Sequence, residues 1–178
     1  TMPDLGMLSS GLSSFHKLAR NPWDIATNPG GSSAGAGSAA AAGYGPLHIG
    51  TDIGGSVRLP AGWCGLVGLK PSFGRIPIDP PFLGRVAGPM TRTVADNALY
   101  MSVLSRPDRR DGMSLPYQDI DWMNLDIEVK GLKIGLWLDA GFDEPVGGEP
   151  VPPWKPQPNC LPMQARSSSR WRHSSIAP

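Results

Sequence analysis

The pattern of apolar and polar positions divides the chain into three zones. Residues 1–28 mix the two classes without a period, and the prolines of Asn21-Pro22-Trp23 and Asn28-Pro29 turn the residue before each away from helical geometry. Residues 29 to about 142 carry the ordered signals. Ala34–Ala42 is dominated by the best helix former, with Ser32 or Ser33 placed to cap its start and Gly43 to end it. Pro46–Gly50 and Gly65–Leu69 are short apolar runs bounded by Gly or Pro and predict strands. Thr93-Val94-Ala95-Asp96 puts a hydroxyl at a cap and a carboxylate three residues on, which predicts a helix from there to about Leu104. Leu132–Leu138 alternates as a further strand. Strands alternating with helices predict an α/β fold.

The third zone breaks this pattern. From Pro145 to Pro178, 8 of 34 residues are proline, an Arg-Ser run fills 166–175, and neither a helical nor a strand period survives. The expected division is therefore an ordered domain over 1–144 and a Pro/Arg/Ser-rich tail over 145–178, which is either disordered or the product of a shifted reading frame.

Charge excludes several function classes. The 16 basic and 15 acidic residues leave a formal net charge of +1, so no single-sign surface marks a nucleic-acid partner. No apolar run reaches the ~18 residues of a membrane span, and the N-terminus lacks the basic-then-apolar pattern of a secretory signal, so a cytoplasmic location is expected. Cys64 and Cys160 lie far apart, and Cys64 sits in the apolar run Trp63–Val67, where a buried free thiol is expected. No metal-ligand spacing and no cofactor motif of the right context appear. Gly35-Ala36-Gly37-Ser38-Ala39-Ala40 is a loose dinucleotide fingerprint, but Asn28-Pro29-Gly30-Gly31 precedes it where that motif needs a strand.

The chemistry concentrates in two glycine-rich turns, each carrying serine: Pro29–Ser38 and Gly50–Arg58. Glycines allow another backbone to come close, and consecutive amides around them can converge on one point. Acyl transfer needs such N–H donors where negative charge develops, each worth about 3 to 4 kcal/mol. The candidate donors of this oxyanion hole are Ile53, Gly54, Gly55 and Ser56. A serine hydroxyl also needs a neighbour to take its proton. His48 precedes Ser56 by eight residues, about 26 Å along an extended strand, and nothing around His16 forms a catalytic turn, so a Ser-His-Asp triad is disfavoured.

Four blocks carry a family resemblance: Gly30-Gly-Ser-Ser33, Gly50-Thr-Asp-Ile-Gly-Gly-Ser-Val-Arg-Leu-Pro-Ala61, Cys64-Gly-Leu-Val-Gly-Leu-Lys-Pro71 and Gly88-Pro-Met-Thr-Arg-Thr-Val-Ala-Asp96. Their wording, order and spacing, from about Met2 to Phe142, resemble the amidase signature family. The resemblance implies the central portion of a mixed β-sheet flanked by helices, truncated at both ends, and a Ser-cis-Ser-Lys catalytic trio. Ser56 matches the nucleophile, and Ser32 matches the bridging serine that follows a cis peptide bond. Ser33 and Thr51 match positions that hydrogen-bond within the network, while Asp52 and Arg58 brace the nucleophile loop, with ordinary loop capping as the alternative.

The trio's lysine belongs, by the resemblance, on a segment several tens of residues upstream of the bridging serine. Only 31 residues precede Ser32, and neither Lys17 nor Lys70 matches that position. The expected activity is hydrolysis of a carboxamide through a serine acyl-enzyme, of which this chain is an incomplete fragment expected to be inactive alone, with a small-molecule amide as substrate, no cofactor, and a homodimer for a full-length protein. Two alternatives stay open: the amidase subunit of a glutamine-dependent aminoacyl-tRNA amidotransferase, and a non-catalytic remnant. Trp63, Pro80-Pro81-Phe82 and Met90 either line a pocket or fill the core.

Overall fold

The computed structural model describes residues 2–126 and 128. Cys160, the strand expected over Leu132–Leu138 and the tail from Pro145 lie outside the described residues. Helix α1 (Ala34–Ala41) leads into strand β1 (Leu47–Asp52), followed by the short helix α2 (Arg58–Trp63) and the two-residue strand β2 (Val67–Gly68). Strand β3 (Val86–Thr91) and helix α3 (Val94–Leu104) complete the order. The three strands form one antiparallel sheet in the order β1-β3-β2.

The α/β reading holds, and α1 and α3 fall where their sequences place them. Thr93 caps α3: its hydroxyl accepts the Asp96 N–H at 3.0 Å and donates to the Asp96 carboxylate at 2.7 Å. At α1 the outcome differs from the expected cap. Ser33 is the N-cap residue, yet its side chain makes no capping bond, because its hydroxyl is engaged with β1. Strand β1 runs two residues past its expected end at Gly50, since pairing with β3 continues from Leu47↔Thr91 to Asp52↔Val86.

Two elements appear that the residue pattern does not announce. Gly88 and Pro89 make Val86–Thr91 look like a loop, yet β3 is the central strand and all six of its residues are buried. Its carbonyls find partners despite the proline: Pro89 O accepts the Leu69 N–H at 3.1 Å. Helix α2 contains Pro60, but within its first turn, where a missing N–H costs little.

Alternation along β3 splits the core between the two faces of the sheet. Met90 packs with Val57 and Ala61 on one side, against Ala36 and Leu66. Ala87 packs with Ile76 and Met101 on the other, against Leu69, Ile78, Leu104 and Trp122. Met90 therefore fills the core, whereas Trp63 and Phe82 are about half exposed. Asn97 of α3, buried, donates to Val67 O at 3.2 Å and Thr91 Oγ1 at 3.3 Å, which ties the helix to both β2 and β3.

The aperiodic N-terminal segment is held by side chains. Asn21 Nδ2 donates to Trp63 O at 2.9 Å and Trp23 Nε1 to Cys64 O at 2.8 Å, fastening it to the end of α2. Cys64 is a buried free thiol directed at Pro29 O, 3.4 Å away, and burial pushes its pKa up. Among the described residues no helix is long and apolar enough to cross a membrane.

Candidate functional site

The two serine-bearing turns meet. The first leads into α1 through Gly30, Gly31 and Ser32, and the second connects β1 to α2 through Ile53–Val57. Asn28 sets the entry to the first turn by accepting the Gly30 N–H at 2.9 Å. The Gly31–Ser32 peptide bond is cis. The Ser33 N–H donates to the Ser56 carbonyl at 3.3 Å, which joins the turns directly. The Ser33 hydroxyl adds a second link, accepting the Thr51 N–H at 3.1 Å and donating to Thr51 O at 3.3 Å.

This junction requires glycine at position 50. A Cβ built there would sit 2.7 Å from Ser33 Cβ, closer than real contacts allow, and a tight 3.0 Å from Met90 Cε. Ser32 is buried at 7% exposure, and the 3₁₀ turn Asp4–Gly6 lies over it, so that a Cβ on Gly6 would be 3.7 Å from Ser32 Oγ. Ser56 is half-buried.

Asp52 organises the second turn. Its carboxylate, fully buried at the end of β1, accepts the N–H groups of Gly55 at 2.7 Å, Val57 at 3.1 Å and Arg58 at 3.3 Å. It also takes a two-point ion pair from the Arg58 guanidinium, at 3.0 Å from Nε and 2.9 Å from Nη2. Burial pushes this carboxyl up, but the Arg58 guanidinium and then the three N–H donors outweigh burial and hold it at about 2. The turn is thus folded around an anion, with Gly55 at φ 128°, a conformation side-chain-bearing residues avoid.

That arrangement divides the N–H groups expected as oxyanion donors into engaged and unengaged ones. The Gly55 N–H is spent on Asp52 and points into the turn, so it cannot also serve an external anion. The N–H groups of Ile53, Gly54 and Ser56 donate to no acceptor among the described residues. The sequence pattern contains no sign of this division, because it depends on where the Asp52 side chain turns.

Among the described residues no histidine or lysine side chain hydrogen-bonds to the Ser32 or Ser56 hydroxyl. His16 is exposed and packs edge-on against Phe15 at 4.8 Å. His48 lies on β1, its Nε2 buried without a hydrogen-bond partner. Lys17 and Lys70 make no hydrogen bond or ion pair with any described residue. The described residues contain no group of three or more metal-ligating side chains.

A cleft of about 590 Å³ opens beside the junction, and it went unsignalled in the sequence pattern. Ser33, Gly50 and Thr51 line it, together with Ile49 of β1 and with Pro77 and Ile78 from the segment between β2 and β3.

The chain is similar in sequence and fold to known proteins. A family model described as Amidase matches residues 1–147. A glutamyl-tRNA(Gln) amidotransferase subunit from Staphylococcus haemolyticus is 40% identical over 157 residues, a match covering 82% of this chain and 32% of that protein. The protein of the same description from Chromohalobacter salexigens is 44% identical over the same length, with the same coverage. Among solved structures, 6-aminohexanoate cyclic dimer hydrolase matches with a TM-score of 0.64 at 34% identity, over 70% of this chain and 27% of that one. A bacterial aryl acylamidase described as an amidase signature enzyme matches with a TM-score of 0.60 at 40% identity, over 66% and 25%. The chain spans about a third of the length of the curated relatives it matches.

Proposed function

The chain belongs to the amidase family, and on that premise we propose that it carries the nucleophile and proton-relay portion of an enzyme that cleaves a carboxamide C–N bond through a serine acyl-enzyme. The observation that carries this reading is the direct joining of the two serine turns by the Ser33 N–H to Ser56 carbonyl bond. It places Ser32, at the cis bond, one residue from the segment that bears Ser56.

In this reading the Ser56 hydroxyl attacks the amide carbon as its proton passes to Ser32 Oγ, which in the same relay gives its own hydroxyl proton to the terminal base. The charge on the carbonyl oxygen is met by N–H groups of Ile53, Gly54 and Ser56, the three that Asp52 leaves free. Collapse of the tetrahedral species breaks the C–N bond, and the same relay returns the proton to the departing nitrogen. Water then hydrolyses the ester, with Ser32 again carrying the proton. Asp52 and Arg58 hold the turn, and Ser33 holds the two turns together. The resemblance assigns the terminal base to a lysine, which neither Lys17 nor Lys70 supplies.

A second reading shares the chemistry and differs in setting. The identities of 40% and 44% to glutamyl-tRNA(Gln) amidotransferase subunits favour a chain that works in amido-group transfer beside other polypeptides. Glutamine is then the amide, and release of ammonia from glutamine but not from simple aliphatic amides would separate this setting from a stand-alone amidase.

The test is fluorophosphonate labelling, read by peptide mass spectrometry, of this chain joined to the upstream lysine-bearing segment that the resemblance calls for. The adduct is expected on Ser56, absent in Ser56→Ala, and formed at least about a hundredfold more slowly in Ser32→Ala, as loss of a proton-transfer partner demands. Unchanged labelling in Ser56→Ala would sink the proposal.

A further inference from the structure

We infer that Asp4 is a positioning residue of the proton relay: it anchors a strap, residues 2–10, that packs over Ser32 and so fixes the direction of the Ser32 hydroxyl. This deepens the serine reading and rests on it for the role of Ser32.

Ser32 is buried, yet its hydroxyl has no hydrogen-bond partner among the described residues. Its rotamer is therefore set by what packs around it. The strap supplies that packing at two points. At the Asp4–Gly6 turn the Gly6 backbone comes so near that a Cβ there would stand 3.7 Å from Ser32 Oγ. Further on, a Cβ on Gly31, the residue before Ser32, would overlap the Ser10 backbone and lie 2.8 Å from Leu8 O. Any shift of the strap is thus felt at Ser32 and at the peptide that precedes it.

Apolar burial does little to hold the strap down. Met2, Leu5, Met7 and Leu8 are all exposed, and Pro3 is the one buried residue between 2 and 10. The turn is also strained, since Leu5 sits at φ 59°, ψ 5°, in the left-handed region that a bulky side chain avoids. Such a turn keeps its shape only where its surroundings hold it. Asp4 provides the hold. One carboxylate oxygen accepts the Ser14 N–H at 2.8 Å and the Ser14 hydroxyl at 2.6 Å, and the other accepts the Ser13 hydroxyl at 3.0 Å. Ser13 and Ser14 belong to a loop closed at its base by the Ala19 N–H, which donates to Gly11 O at 3.2 Å. Inside that loop Ser13 Oγ accepts the Phe15 and His16 N–H groups, each at 3.1 Å, so the anchor point is itself fixed. Among the described residues the strap's one other hydrogen bond to a residue beyond Leu12 runs from Asn28 Nδ2 to Ser9 O, and it is long at 3.3 Å.

Two measurements test this. In the chain joined to the upstream lysine-bearing segment, Asp4→Ala should slow fluorophosphonate labelling of Ser56 about tenfold or more, as misplacement of a reacting group by a fraction of an ångström does. Asp4→Asn, which keeps one acceptor oxygen for Ser14, should fall in between. In a Ser32→Ala background the same Asp4→Ala change should alter the rate by less than about twofold, because a residue that acts through Ser32 then has nothing to act on. In the 178-residue chain itself, exchange of the Gly6 amide, which donates to Pro3 O at 2.9 Å, should rise about tenfold or more in Asp4→Ala while the amides of α3 exchange as in the parent. Labelling of Asp4→Ala within about twofold of the parent overturns the inference. Slowing of equal size in both backgrounds also overturns it, since Asp4 would then be merely structural or a gate to the probe, and so does unchanged exchange at Gly6. Failure of the serine reading looks different: the parent forms no adduct on Ser56, which removes the relay, while faster exchange at Gly6 in Asp4→Ala leaves the anchor standing without it.

Discussion

Replacing Asp52 with asparagine separates the charge of this side chain from its shape. In the folded protein the carboxyl is held at about 2 against its ordinary 3.8, although burial alone would push it the other way. The difference corresponds to about 2 kcal/mol in favour of the ionised form, an upper figure because Arg58 is half exposed and solvent screens its guanidinium. Asp52→Asn loses this attraction and also turns an amide NH₂ toward donors, stranding at least the buried Gly55 N–H or the guanidinium. The expected cost at pH 6 is about 3 kcal/mol. The sign with pH follows from a depressed pKa: the carboxylate's contribution is complete above about 4 and is lost as pH falls through 2. About 1 kcal/mol of it is gone by pH 3 and about 2 kcal/mol by pH 2. Urea unfolding of both proteins from pH 6 to pH 2 measures this directly, and the gap between them should narrow by those amounts. A gap that stays constant over that range, or a variant within 0.5 kcal/mol of the parent at pH 6 (about the spread of an ordinary surface substitution), would refute the placement of a charged Asp52 at the centre of the turn.

Three other substitutions probe the elements around it. Gly50→Ala drives a methyl into Ser33 and Met90, so urea unfolding should show a loss of about 1 to 3 kcal/mol, and labelling of Ser56 should slow because the two turns part. Thr93→Ala removes the cap of α3 and should cost about 1 kcal/mol in the same assay while leaving Ser56 labelling unchanged. Asn97→Ala removes the side-chain donor to Val67 O and Thr91 Oγ1 and loosens α3 from the sheet; a cost of about 1 to 3 kcal/mol is expected, with thermal unfolding as an independent readout.

What the residues announce in advance is local in origin. The α3 cap is written in Thr93 and Asp96 because both partners lie within one turn of chain, and α1 is written in its alanines. Strand β3 is not announced, since Gly88 and Pro89 argue against a strand in isolation and only pairing with β1 on one side and β2 on the other makes them one. The same holds for Ser33, which reads as a helix cap from its position. Its hydroxyl goes instead to Thr51, 18 residues away, where it satisfies the backbone of β1 at the point the turns converge.

The candidate site shows why that distinction matters for function. A glycine-rich turn contains a row of N–H groups, and the row alone names Ile53, Gly54, Gly55 and Ser56 as equal candidates. Which of them can meet an external anion depends on which are already satisfied, and the buried Asp52 carboxylate settles that by drawing the Gly55, Val57 and Arg58 N–H groups inward. An anion inside the turn also repels one outside it, so the arrangement would oppose a developing oxyanion if the charge were bare. Arg58 offsets it with a two-point pair, which leaves the turn near neutral while its shape stays fixed. Asp52 and Arg58 thus act as one unit: removing the arginine alone would leave an unpaired buried charge in the turn, a worse outcome for the proposed acyl transfer than removing both.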